Sequence, residues 1–161
     1  MSTNIHDKDD KTYIVLGAPH SATSFIAKCL EDAGVSMGSN MAKLYQDSNF
    51  VYINQQMIRQ AGGRWNKPPS EKKILAIDLS QRIVKLIKWK KKKFWGFKDP
   101  RTSLTAKAYF PHLDGDAYLI CCFRKPDKVV KSFGGNKGVN RKLIDRYNRS
   151  IVSAIKEFCK L

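Results

Sequence analysis

A chain of 161 residues and 18.4 kDa is long enough for one domain with a sizeable core, burying roughly two-thirds of its unfolded surface without disulfide or metal staples. Hydrophobic residues at 42% and aromatics at 11% exclude wholesale disorder, and no apolar run approaches the roughly 20 residues that span a bilayer. Lys and Arg outnumber Asp and Glu by 30 to 14, so the formal charge of +16 calls for an anionic partner: nucleic acid, a membrane surface, or a phosphorylated or sulfated molecule.

Residues 1–10 are polar and acidic, without the apolar stretch of a signal peptide, and are expected to form a disordered tail. Tyr13-Ile14-Val15-Leu16 reads as a strand buried on both faces, ending at Gly17. The turn Gly17 to Ser24 leads into a helix carrying Phe25, Ile26, Cys29 and Leu30 and closed by Ala33-Gly34. A second helix is expected over 48–60, stopped by Gly62-Gly63. Ser70 is placed to cap one long helix over 71–90, whose apolar side holds Ile74, Leu75, Ile77, Leu79, Ile83, Val84, Leu86 and Ile87. The basic run Lys88 to Lys93 then reads as a solvated helix end complementing the dipole, in preference to a nucleic-acid patch.

Phe94-Trp95-Gly96-Phe97 reads as a second strand, stopped by Lys98-Asp99-Pro100, and a short helix follows over 103–109. The third strand, Ala117 to Phe123, ends at Arg124-Lys125-Pro126; helices follow over 127–133 and 140–158. Alternating strands and helices predict an α/β fold over residues 11–161, a three-layer α/β/α arrangement around a central parallel sheet. The four cysteines, Cys29, Cys121, Cys122 and Cys159, lack C-x-x-C or zinc-ligand spacing and read as reduced, partly buried thiols of a cytoplasmic protein, with no metal expected.

Ligands of parallel α/β sheets bind at the carboxyl ends of the strands, and all three predicted strands end in turns suited to anions. The first, Gly17-Ala18-Pro19-His20-Ser21-Ala22-Thr23-Ser24, is a strand-loop-helix element rich in small and hydroxyl residues, able to hold phosphate on backbone N–H groups; it reads equally as an ordinary βα turn. It is not a Walker A loop, because Ala22 and Thr23 stand where that motif needs Gly and Lys, which disfavours an ATPase, a GTPase or a nucleoside kinase. The third turn sets Arg124 at a strand end with Ser132 eight residues on, a pair able to hold a second phosphate; alone, it reads as an exposed Arg and a helical Ser.

Together these turns resemble the sulfotransferase family that uses 3′-phosphoadenosine 5′-phosphosulfate (PAPS) and has a P-loop-like fold. Gly17 to Ser24 is similar to that family's 5′-phosphosulfate loop, G-x-P-[RK]-[SG]-G-T-[ST], and Arg124 to Ser132 to its R-x-P-x-x-x-x-x-S motif for the 3′-phosphate. Trp95 to Thr102 resembles the G-x-K-D-P-R-T segment of bacterial members, and Asp47 to Trp65 resembles the segment that follows their first helix. His20 stands where Arg or Lys is usual, Ala22 replaces a loop Gly, and Gln46 falls where many members carry a Glu able to act as base.

The resemblance implies transfer of a sulfuryl group from PAPS to a hydroxyl or amine acceptor by in-line displacement, without a metal. It implies that Gly17, Ala18, Pro19, His20, Ser21, Ala22, Thr23 and Ser24 hold the 5′ end of the donor, and that Arg124 and Ser132 hold its 3′-phosphate. Lys98 would contact the sulfuryl group or bridging oxygen, His20 the 5′-phosphate, and Arg101 a further anion or Asp99. The base is left open among Asp99, Asp47 and His20, with Asp99 read as a turn-capping residue before Pro100 in preference to a base. The acceptor is open, a polysaccharide or other anionic molecule suiting the charge. Two other readings stand beside this one: a weak or inactive protein that only binds PAPS or its bisphosphate product, and a basic nucleic-acid-binding α/β protein using Lys88 to Lys93 with Trp89 and Trp95.

Overall fold

The computed structural model describes residues 10–38, 44–114, 116–135 and 138–161. Strand β1 (Lys11–Gly17) lies between β2 (Phe94–Lys98) and β3 (Asp116–Cys122), giving a three-stranded parallel sheet of order β2-β1-β3. Val15 pairs with Lys98 and Gly17 with Cys122, so the carboxyl ends of all three strands meet at one edge of the sheet. Helices cover both faces, which is why the apolar run of β1 is uninterrupted. Ile14 and Leu16 enter the larger core, while Val15 joins Ala27, Val35 and Met37 in a smaller one.

Helix α1 (Thr23–Asp32) and the segment after it supply the smaller core. The larger core is built on α2 (Ser48–Gln60), α4 (Ser80–Lys90), α5 (Thr102–Thr105) and α7 (Arg141–Phe158), with Val129 of α6 (Pro126–Ser132) also buried in it. At its centre Phe50 stacks on Phe97 at 3.8 Å between ring centroids, flanked by Trp95 and Tyr109. Each such ring removed from water contributes roughly 1.5–3 kcal/mol. Asp47 accepts from the Asn49 N–H to cap α2, and Asn140 accepts from the Leu143 N–H to cap α7.

Two expectations need correction. The single helix over 71–90 is broken into α3 (Glu71–Leu75) and α4, because Asp78 accepts from the Ser80 N–H and so competes with continuation of the helical ladder. The helix expected over 103–109 is α5 followed by 3₁₀ turns at Ala106–Ala108 and Phe110–His112. Residues 1–9 of the acidic tail lie outside the described residues, whereas Asp10 is tied down: its carbonyl accepts from the Asp116 N–H and its carboxylate pairs with Lys91. The basic run at the end of α4 is in part internally neutralised, since Lys90 pairs with the buried Asp47 at 2.6 Å and Lys91 with Asp10 and Asp114.

One polar cluster runs through the larger core beneath the strand ends. Asn54 of α2 is fully buried; its Nδ2 donates to Asp99 Oδ2 and Thr102 Oγ1, both at 2.9 Å. Its Oδ1 accepts from Thr105 Oγ1 at 2.7 Å and from the Tyr109 hydroxyl at 2.8 Å. Both donors and both lone pairs of the amide are thereby matched. Burial, assisted by the Asp99 charge, pushes the Tyr109 phenol well above its usual range, so it stays a donor. Truncating Asn54 strands several buried partners at once, each worth roughly 1–3 kcal/mol. Asn54→Ala is therefore expected to lower unfolding free energy by about 3 kcal/mol or more in urea titrations, against under about 1 kcal/mol for the exposed neighbour Gln60→Ala on the same helix.

Candidate functional site

The strand ends frame a cavity of about 620 Å³ lined by Pro19, His20, Ala22, Thr23 and Ser24 of the first turn, Lys98, Asp99, Pro100 and Arg101 of the second, and Arg124 of the third. Leu44, Gln46, Trp65, Phe133 and Tyr147 complete the wall. All three turns singled out in the sequence thus reach one space.

The first turn is held in an unusual shape. Both His20 (φ 63°) and Ala22 (φ 64°) lie in the left-handed region, which disfavours side chains with a Cβ. Gly17 is required by close packing: a Cβ there would fall 2.4 Å from Thr23 Cγ2. The Gly17 N–H donates to Ser103 Oγ at 2.9 Å, and the same hydroxyl donates to the Gly17 carbonyl at 3.1 Å, pinning the end of β1 to α5. Gly17, Ala18 and Ser21 are not in the cavity wall; the Ala18 and Ser21 side chains are buried behind it, while Ala22 opens α1 so that the first N–H groups of the helix have no intrahelical acceptor. That end carries the positive pole of the helix dipole.

His20, Arg124 and Ser132 come together. Arg124 Nη1 donates to the His20 carbonyl at 2.9 Å, and His20 Nδ1 lies 3.1 Å from Ser132 Oγ. Ser132 Oγ gives its own proton to the Val129 carbonyl at 2.6 Å, so His20 Nδ1 is the donor in the pair with Ser132. The ring also stacks on Phe133 at 3.8 Å. The two residues expected to serve one phosphate are thus linked through the residue expected to serve the other.

Lys98 is a buried and closely held cation. Its side chain is 1% exposed, and its Nζ donates to Ser24 Oγ at 2.9 Å and to the Leu44 carbonyl at 2.7 Å. Burial, with Arg101 adding to it, pushes its pKa down from 10.5 to about 8, despite the opposing charge of Asp99. Below pH 8 the folded chain therefore carries a poorly solvated ammonium, a destabilisation relieved as pH rises from about 8 to 10.5. An anion in the cavity would offset the same deficit.

Asp99 is fully buried and its oxygens accept from Arg101 Nε, the Arg101 N–H and Asn54 Nδ2. This gives it the task of orienting Arg101, whose Nη2 also donates to Gln46 Oε1 at 3.2 Å. Asp47 is withdrawn to the α2 cap and the Lys90 ion pair and does not line the cavity. All four cysteines are free thiols, and burial pushes Cys121 up to about 11 and raises Cys122, holding both protonated. Among the described residues no cluster of His, Cys, Asp and Glu is arranged to hold a metal ion, and no helix is long and apolar enough to cross a membrane.

No protein-family model matches the chain, and no curated protein or solved structure does so either. The cavity also uses residues that the sequence did not single out as site residues: Trp65, Phe133 and Tyr147, whose hydroxyl donates to the Trp65 carbonyl at 3.0 Å. Tyr147 and Phe133 were legible only as apolar helix positions.

The left-handed backbone at Ala22 yields a direct test of the loop geometry. Ala22→Gly removes the Cβ conflict at φ 64°, and is expected to raise stability by about 0.5–1 kcal/mol after the entropy of glycine is set against it. Differential scanning calorimetry should show a higher Tm; an unchanged or lower one would mean that residue 22 does not hold a left-handed conformation.

Proposed function

We propose that this chain is a PAPS-dependent sulfotransferase with a P-loop-like strand-loop-helix element at the end of β1. The observation that carries the reading is the delivery, by the ends of three parallel strands, of Lys98, Arg124 and the N-terminus of α1 to one cavity. A nucleotide with a phosphosulfate at one end and a separate phosphate at the other needs anion contacts of this kind at two places. The missing Walker lysine argues against triphosphate chemistry at the same loop.

In this reading the N–H groups opening α1, with Thr23 and Ser24, hold the 5′-phosphate. Arg124 keeps further N–H donors beyond the one given to the His20 carbonyl, and these take the 3′-phosphate, joined by Ser132 once its hydroxyl turns from the Val129 carbonyl. The acceptor's oxygen or nitrogen forms a bond to sulfur as the bond from sulfur to the bridging phosphate oxygen breaks. The leaving bisphosphate keeps that electron pair, and the acceptor's proton passes to water. Lys98 ammonium stabilises the charge that grows on the bridging oxygen, in a site with little water to screen it. Ser24 and the Leu44 carbonyl hold its Nζ in position beforehand. Gln46, an amide, contributes orientation of Arg101 rather than proton transfer.

Calorimetry with 3′,5′-adenosine bisphosphate, 5′-AMP and ATP tests the binding half of the proposal. The bisphosphate should bind tightest, and Arg124→Ala should weaken it by roughly 1.5–3 kcal/mol while barely touching 5′-AMP. Equal losses for both ligands would remove Arg124 from the 3′-phosphate.

Transfer of radiolabelled sulfuryl from PAPS to carbohydrate, phenolic, lipid and protein acceptors tests the chemical half. Lys98→Ala should lower turnover by about two orders of magnitude with a much smaller loss of bisphosphate affinity. The kcat/KM of the unaltered protein should fall above about pH 8, as Lys98 loses its proton, and Lys98→Arg should move that limb upward. Tight bisphosphate binding with neither transfer nor PAPS hydrolysis would leave a binding protein instead.

A further inference from the structure

A second cavity, of about 560 Å³, adjoins the first and shares two of its walls, Trp65 and Arg101. Its other lining residues include Gln55 and Arg59 of α2 and Arg64 of the loop that follows. Three arginine residues thus line one space, and among the described lining residues there is no acidic side chain. Arg101 is already held by Asp99 and Gln46, whereas Arg59 and Arg64 make no ion pair with any described residue. Arg59, in the last turn of α2, complements the helix dipole where it stands. Arg64 has no such reason to border the same space.

We propose that this second cavity is the acceptor subsite, and that it selects acceptors bearing an oxyanion, a carboxylate or a phosphate ester, on a sugar-sized ring. The inference rests on the sulfotransferase reading, since an acceptor must reach the sulfur held near Lys98. The shared wall provides that route: a ring against the half-buried Trp65 has the donor cavity on one side and the cavity lined by Arg59 and Arg64 on the other. Planar forks of N–H donors suit carboxylate and phosphate oxygens in pairs. Gln55 adds a neutral donor and acceptor for a ring hydroxyl. The +16 charge of the chain adds long-range attraction for the same class of molecule.

The test is calorimetry on the full chain saturated with 3′,5′-adenosine bisphosphate, using as probes a hexuronate-containing disaccharide, N-acetylglucosamine 6-phosphate and neutral lactose. Both charged sugars, or one of them, should bind at least about tenfold tighter than lactose, and the difference between the two assigns carboxylate or phosphate as the preferred group. Arg59→Ala and Arg64→Ala should each weaken the preferred sugar by about tenfold, with bisphosphate affinity unchanged within about twofold. Arg64→Lys, which keeps the charge but not the fork, should recover part of the loss. Lactose binding as well as the charged sugars, or alanine variants binding them normally, overturns the inference. Weakened bisphosphate binding in those variants also overturns it, because the cavity would then belong to the donor. If the unaltered chain fails to bind bisphosphate at all, the sulfotransferase reading falls and the acceptor assignment falls with it; a preference for charged sugars that still depends on Arg59 and Arg64 would then show a simple anion site.

Discussion

The Asp99 carboxylate is the constraint on which the rest of the site depends. It sits fully buried at the turn after β2, and a lone carboxylate there would be untenable without compensation. Arg101 supplies the countercharge and Asn54 a hydrogen bond, and Asn54 is in turn fixed by Thr102, Thr105 and Tyr109. Because those partners come from α2, α5 and the 3₁₀ turn after it, the cluster locks three elements to the end of one strand. Lys98 and Arg101 then emerge from a turn that has little freedom to move. Rigid support of this kind is what lets a cation act on charge as it develops, with no reorganisation of its surroundings.

The fold was legible from hydrophobic patterning because the strands are buried on both faces and the longer helices are amphipathic. Helix α2 came out at the expected bounds, with Asp47 as its cap and Gly62-Gly63 beyond its end. The break between α3 and α4 was not legible, since a single Asp78 side chain, bonding to a nearby backbone N–H, overrides an apolar pattern that continues through it. The convergence of the three turns followed from parallel pairing alone, and the register of Val15 with Lys98 and Gly17 with Cys122 delivers it. Asn54 stayed hidden because a buried amide in an apolar helix stripe has no local signature; only its partners, about fifty residues away in sequence, reveal the role. Arg59 and Arg64 were hidden for a different reason: in a chain with thirty basic residues, two more carry no signal until a cavity gathers them.

The charge excess is not uniformly distributed in its uses. Lys90 and Lys91 are tied into ion pairs with Asp47, Asp10 and Asp114, which secures the start of α2 and both ends of the polypeptide segment around β2. Lys107 similarly joins Glu71 to Ser153. Lys98, by contrast, has only neutral hydrogen-bond acceptors at its Nζ, and Asp99 next to it is directed to Arg101. A buried ammonium matched to neutral oxygens is in electrostatic deficit, and that deficit is what depresses its pKa. Among the described cations this separates a structural lysine from one poised for an anion better than exposure does.

The first turn shows how the chain sustains a strained loop. A residue with a Cβ in the left-handed region costs about 1–2 kcal/mol, and both His20 and Ala22 adopt it. Offsetting contacts reach the loop from two sides: Ser103 of α5 grips both backbone groups of Gly17, while Arg124 and Ser132 hold the carbonyl and ring of His20. Phe133 adds a stacked ring face to the same histidine. The contacts come from residues distant in sequence, so the loop acquires its shape only when the sheet edge is assembled. That shape leaves the opening N–H groups of α1 without a side-chain cap, and under the proposed function it would reduce the ordering needed on binding. The choice of His20 at this position is intelligible in the same terms. A flat ring can stack on Phe133 and bond Ser132 at once, tying the first and third turns together.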